Sequence, residues 1–151
     1  MLDVVRIGSE TADMCTAARW VADRTTFIAS PGFPRRYPPR SACICSVMTR
    51  RNQRLLVRAA ADVSLEWTPG CHADVLVVYD DSEQALARCG HLPTGLNVTS
   101  RTHTVFVAFR SDDRRQHNGF WLAIEGHCLR TRTKNLCIAR QGRFAYAGRW
   151  L

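Results

Sequence analysis

Seven cysteines, twenty-one basic residues and five histidines are the groups in this 151-residue chain with chemistry of their own. A cysteine can serve as nucleophile, metal ligand or half of a disulfide, and spacing separates the three. No CxxC pair occurs, and His72, His91, His103, His117 and His127 do not follow finger or ribbon spacing, so a structural zinc site has no sequence support. Ser30 and Ser111 have no adjacent histidine, and the chain has neither an HExxH motif nor a glycine-rich phosphate loop. His103 and His117 read as ordinary surface or core histidines, so the chain is expected not to be an enzyme in its own right. What remains is disulfide chemistry. Seven cysteines suit an oxidising, extracellular compartment, with two or three bridges and a leftover thiol.

The second chemistry is anion binding. The net charge is +8 and Lys134 is the only lysine, so the charge is carried by arginine, whose planar fork pairs with carboxylates, sulfates and phosphates. No acid occurs between Asp23 and Asp62, a span holding eight arginines, and none follows Glu125. A solvated basic face is one reading. A polyanion site, for a glycosaminoglycan, is the other, with Arg130, Arg132, Lys134, Arg140 and Arg143 as its candidates. Nucleic acid is not the expected partner, because it would need a basic groove with interleaved aromatics and the tail offers only Tyr146 and Trp150. Asn97, Val98 and Thr99 form one N-glycosylation sequon in a polar stretch, which gains meaning once the cysteines argue secretion.

The elements that must position these groups are short. With 46% hydrophobic and 23% charged residues the chain falls in the globular range, and its length suits one domain plus a tail. Apolar runs of strand length lie at Leu55 to Val57 with Val63 and Leu65, Val75 to Tyr79, Val105 to Phe109 and Phe120 to Ile124, each bounded by turn residues. Enrichment in Val, Phe and Tyr without a sustained helical period predicts an all-β sandwich. Phe27 to Arg40, FIASPGFPRRYPPR, reads as an extended, turn-rich crossing. Asp81 to Arg88 is either one helical turn or a hairpin. Residues 1–14 read as a lead-in with at most a short helical turn, 15–127 as the domain, and 128–151 as a basic, cysteine-containing tail or the start of a further module. The opening MLDVVRIGSE, with its early Asp3, is not a signal peptide, and no stretch approaches the ~18 apolar residues of a membrane span. A secreted chain without a leader is expected to be a fragment of a longer protein.

The ordered motifs are similar to those of CUB domains. Cys15, SPGFP at Ser30 to Pro34, YPP at Tyr37 to Pro39 and Cys43 resemble the family's opening. Leu65 and Glu66, then Cys71 with Asp74 three residues on, a strand ending at Tyr79 and Asp80, and Cys89 with Gly90 resemble its middle; Phe109, Ser111, Asp112, Gly119 and Phe120 resemble its close. The resemblance implies a two-sheet antiparallel, jelly-roll-like sandwich stapled by Cys15–Cys43 and Cys71–Cys89. Each such bridge closes a loop of about 20–30 residues and would contribute roughly 3 kcal/mol. Read without the family, four cysteines leave all three pairings open. Cys45 stands where the family usually has tryptophan and is expected to be a buried free thiol, with a third bridge as the alternative. Cys128 and Cys137 either pair with each other or open a following cysteine-rich module, Cys137 and Ile138 being faintly similar to a low-density-lipoprotein-receptor class A repeat.

The resemblance also implies a function: a noncatalytic, extracellular protein-interaction module, part of a larger secreted protein or receptor. It implies a calcium site as well, at Glu66, Asp74 and Asp112, where a lysine or arginine of a partner would approach. Hard carboxylate oxygens converging from three loops are what calcium requires. Two departures bear on it. The family's tyrosine before the SPxYP segment is replaced near Thr25, and the serine and asparagine usual after the late aspartate are Arg114 and Arg115. One of these arginines would then compensate the carboxylates in place of calcium, or Asp113 would supply an extra oxygen.

Overall fold

Alternation decides which segments become strands. Along Gln53–Ala59 and Val75–Asp80 every second side chain is buried, the period-2 pattern of a strand with one face on a core. The computed structural model describes residues 11–15, 19–21, 25–83, 85–92, 96–130, 135–139, 143–146 and 149–150. In chain order its strands are β1 (Thr11–Asp13), β2 (Arg19–Val21), β3 (Thr26–Ala29), β4 (Ala42–Met48), β5 (Gln53–Ala59), β6 (Val63–Ser64), β7 (Val75–Asp80) and β8 (Ala85–Arg88). They continue with β9 (His91–Leu92), β10 (Asn97–Thr99), β11 (Thr104–Arg110), β12 (Trp121–Arg130), β13 (Asn135–Ala139), β14 (Arg143–Tyr146) and β15 (Arg149–Trp150). One 3-10 turn, Pro69–Cys71, precedes β7. Among the described residues no helix is long and apolar enough to cross a membrane.

Two sheets form a sandwich. One runs β10-β5-β12-β3-β1, with β13, β14 and β15 following from β12; the other runs β2-β4-β11-β7-β8. All pairings are antiparallel except β1 with β3 and β2 with β4. Between the sheets lies one apolar cluster that includes Ile28, Val47, Val57, Leu76, Val107, Phe109, Phe120 and Leu122. Phe109 links its aromatic members, packing edge-on against Tyr37 at 5.1 Å and Phe120 at 5.3 Å. A second, smaller cluster forms where Phe33 of the SPGFP segment covers Trp121, beside Phe27.

Disulfides join Cys15 to Cys43 and Cys71 to Cys89, with Cα atoms 5.0 and 5.6 Å apart. Cys45 is free and buried in the core cluster. Some local readings change, and the alternative left open after Asp80 is decided. Thr11–Asp13, inside the expected lead-in, is a strand, because its backbone pairs with Phe27–Ala29. The stretch after Asp80 is a hairpin and not a helical turn, β8 pairing back onto β7. Ala42–Met48 is a strand not among those expected: ACICSVM is apolar at six of seven positions but holds no aromatic residue, and pairing with β11 defines it. β12 itself runs on to Arg130, past residue 127.

Candidate metal centre

Glu66, Asp74 and Asp112 are remote in sequence, and sheet register brings them together. Pairing of β11 with β7 sets Arg110 opposite Val75, so the residues just past those ends, Asp112 and Asp74, emerge side by side. The Asp112 N–H donates to Asp74 Oδ1 at 2.8 Å. Glu66 comes from the third loop, held by its neighbours: the Leu65 N–H donates to the Gly90 carbonyl at 3.0 Å, and Ser64 exchanges backbone hydrogen bonds with Gly119. Gly119 has φ +85°, and a Cβ there would collide with the Ser30 side chain, so only glycine permits this close crossing. One ligand oxygen from each of the three acids lies within 4.8 Å of the others.

Tyr37 ties the cluster to the core. Its hydroxyl donates to Asp74 Oδ2 and accepts the Glu66 N–H at 3.2 Å, while its ring packs on Phe109. Burial first, then the hydrogen bond and charge of Asp74, push its phenol well above the ordinary tyrosine range, so it remains a donor at any physiological pH. Ser111 braces the same loop, its hydroxyl donating to the Pro38 carbonyl and accepting the Ser41 N–H, both at 2.9 Å. Neither Tyr37 nor Ser111 is marked as part of a site by sequence alone. Tyr37 belongs to the YPP motif, whose signal is conformational and says nothing of its hydroxyl.

The acids are buried at a cost. Asp74 is 0% and Glu66 7% exposed, and Glu66 Oε2 has no hydrogen-bond partner. Two unit charges 4.8 Å apart repel by about 3 kcal/mol at an effective dielectric constant near 20. Neutral donors offset part of this: the Tyr37 hydroxyl, the Asp112 N–H, and the Arg114 N–H, which donates to Asp112 Oδ1 at 2.8 Å. The two arginines behave differently from each other. The Arg114 guanidinium lies 3.8 Å from Asp113 and not against the three acids. Arg115 places Nε 3.9 Å from Glu66 Oε1, but its side chain is 81% exposed, and such a solvated pair contributes at most about 1 kcal/mol. Asp113 turns toward Arg40 and Arg114. The orphaned oxygen and the all-oxygen donor set fit a hard divalent cation, which Glu66, Asp74 and Asp112 would hold.

The other sequence candidates lie elsewhere. Thr25 donates to Glu125 Oε2 at 3.2 Å at the entry to β3. Asn97 and Thr99 are both exposed on β10. Arg130 ends β12 and Arg143 opens β14, whereas Arg132, Lys134 and Arg140 lie outside the described residues.

The comparisons with known proteins agree with this architecture. The family model for the CUB domain matches residues 15–123. Human cubilin is 29% identical over 113 residues, which cover 69% of this chain but 3% of cubilin, so the chain spans a small part of that relative. The full extracellular region of zebrafish Gpr126/Adgrg6 superposes with a TM-score of 0.70 at 23% identity, over 82% of this chain and 16% of that one. The MASP-1 CUB2 domain bound to Ca2+ gives a TM-score of 0.66 at 22% identity, over 74% of this chain and 99% of its own. With the sandwich, the bridged cysteines and the matched span all in agreement, this chain belongs to the CUB domain family.

Proposed function

We propose that the chain is a noncatalytic, extracellular protein-interaction module whose loop end is set by a calcium ion held by Glu66, Asp74 and Asp112. The observation that carries this is the convergence of three carboxylates from three loops within 4.8 Å, one with a buried, unpaired oxygen. Calcium would supply the missing positive charge and fix three loops relative to one another. The family is one of extracellular interaction modules, and a structural neighbour, the MASP-1 CUB2 domain, is bound to Ca2+. Exposed Asn97 and Thr99 on an edge strand leave the sequon open to an N-glycan, which suits the same compartment. The three carboxylates would attract a partner's lysine or arginine, as the resemblance implies; the arginines exposed around them oppose it.

The test is thermal unfolding of the oxidised chain with calcium and with chelator. Calcium at about a hundred times its Kd should stabilise the fold by about 2.7 kcal/mol, since it binds only the native state. Asp112→Ala should abolish that response. A wild-type chain whose unfolding ignores both calcium and chelator would sink the proposal.

A further inference from the structure

The three acids do not stand in a negative field. Four exposed arginines lie beside them: Arg110, Arg114 and Arg115 flank Asp112 in sequence, and Arg40 adjoins it across the backbone. The Arg40 N–H donates to the Asp112 carbonyl at 2.8 Å, and its Nη2 lies 3.9 Å from Asp113. Arg110 donates through Nη2 to the His72 carbonyl at 3.1 Å, on the loop leading to Asp74. Arg114 and Arg115 approach Asp113 and Glu66 at 3.8 and 3.9 Å, beyond hydrogen-bond distance. The side chains of Arg40, Arg114 and Arg115 are 81%, 83% and 81% exposed, so their forks are open to solvent. Four arginines thus lie at the same end of the sandwich as four carboxylates, Glu66, Asp74, Asp112 and Asp113, with the nearest approaches at Asp113 and Glu66.

That balance is neutral only without a bound cation. The buried Glu66 Oε2 is unpaired and one oxygen from each of the three acids lies within 4.8 Å of the others, which marks where one belongs. Once a divalent ion is held there the whole end becomes cationic, and a partner's ammonium would be repelled on approach while an anion would be steered in. The chemistry at contact points the same way. Guanidinium forks pair bidentately with carboxylates, and calcium, seeking six to eight oxygens, can take further oxygens beyond the three acids of this chain.

We infer that this end of the sandwich, resting on the calcium reading, takes a carboxylate from an acidic segment of a partner protein, gripped by Arg114 and Arg115, in place of a basic side chain. The test uses the full oxidised chain and two labelled peptides, one alternating aspartate with glycine and its twin alternating lysine with glycine. With calcium present, fluorescence anisotropy should show binding of the aspartate peptide only, reversed by chelator. Arg114→Ala with Arg115→Ala should weaken it on the order of tenfold, the size expected of two charge-assisted contacts at a solvated rim. Calcium-dependent binding of the lysine twin, binding of neither peptide, or binding of a heparin-derived oligosaccharide alone would each overturn the inference. Calorimetric titration with calcium on the same preparation separates the two failures. Calcium bound with the aspartate peptide ignored defeats only the inference; calcium not bound defeats the metal reading, and the inference with it. If the double variant does not fold, the choice between the two peptides on the wild-type chain decides alone.

Discussion

Strand β7 ends in a buried carboxylate, Asp80, and is preceded by another, Asp74, and the two ends are built on opposite rules. At one end Asp80, 4% exposed, has its oxygens filled by neutral donors of its own chain. Oδ1 accepts the Ser82 N–H at 2.9 Å and the Ser82 hydroxyl at 2.6 Å, and Oδ2 accepts the Arg101 N–H at 2.6 Å. At the other end, about 20 Å away along the strand, Asp74 is equally buried but faces two further carboxylates, one with an unpaired oxygen. Burial of an acid is therefore no sign of a binding site. Asp80 is a turn anchor whose charge is dispersed over local dipoles. Asp74 belongs to a cluster whose charges are incompletely met, and that deficit is what would suit it to a cation.

The sharpest way to break this contrast is to remove the anchor. Asp80→Ala strips the Arg101 and Ser82 donors of their acceptor, and losing these hydrogen bonds to a charged, buried carboxylate should cost about 2 to 3 kcal/mol in a urea titration. The loss should be the same with calcium or with chelator. If it grows or shrinks with calcium, the two ends are not independent and the contrast fails.

A smaller effect is expected from Tyr37→Phe, which keeps the ring on Phe109 but removes the hydroxyl shared by Asp74 and Glu66. Loss of these hydrogen bonds should cost about 1 to 2 kcal/mol, and calcium should bind more weakly because two of its carboxylates lose their common brace. Unchanged calcium affinity would show that Tyr37 supports the core alone.

The smallest effect is invisible at neutral pH. Cys45 is pushed up from 9.0 to about 12, chiefly by burial, and Tyr37 is raised from 10.0 by burial and then by Asp74. Both folded values exceed the unfolded ones, so the stability they contribute is complete below about pH 9 and is lost progressively as pH rises above 9 for the thiol and 10 for the phenol. Urea midpoints for Cys45→Ala should decline less steeply over that alkaline range than wild type. Parallel curves for wild type and variant would mean that Cys45 does not titrate with unfolding.

Some of this was legible in the sequence because it depends on local pattern. The strands at Val75 to Tyr79 and Val105 to Phe109 announce themselves by β-branched and aromatic residues between turns. Ala42–Met48 announces itself less, since it is apolar at six of seven positions but has only Ile44 and Val47 as β-branched residues and no aromatic, and partnership with β11 makes it a strand. The FIASPGFPRRYPPR stretch declares itself a shaped crossing through its prolines, but not that Phe33 caps Trp121 or that the Tyr37 hydroxyl reaches Asp74.

For the site, the order of cysteines and acids along the chain sufficed to suggest the family and, through it, Glu66, Asp74 and Asp112 as a set. The arginines' places along the chain, Arg114 and Arg115 after Asp112 among them, were legible too, but not which acid each would meet. That Arg40 and Arg114 turn to Asp113 while Arg115 stands off from Glu66, and that one carboxylate oxygen is left buried and unpaired, were decided by the tertiary structure. The reason is physical: residue types and spacing act through neighbours a few positions away, whereas a charge balance depends on distances set by strand register between segments 8 to 46 residues apart.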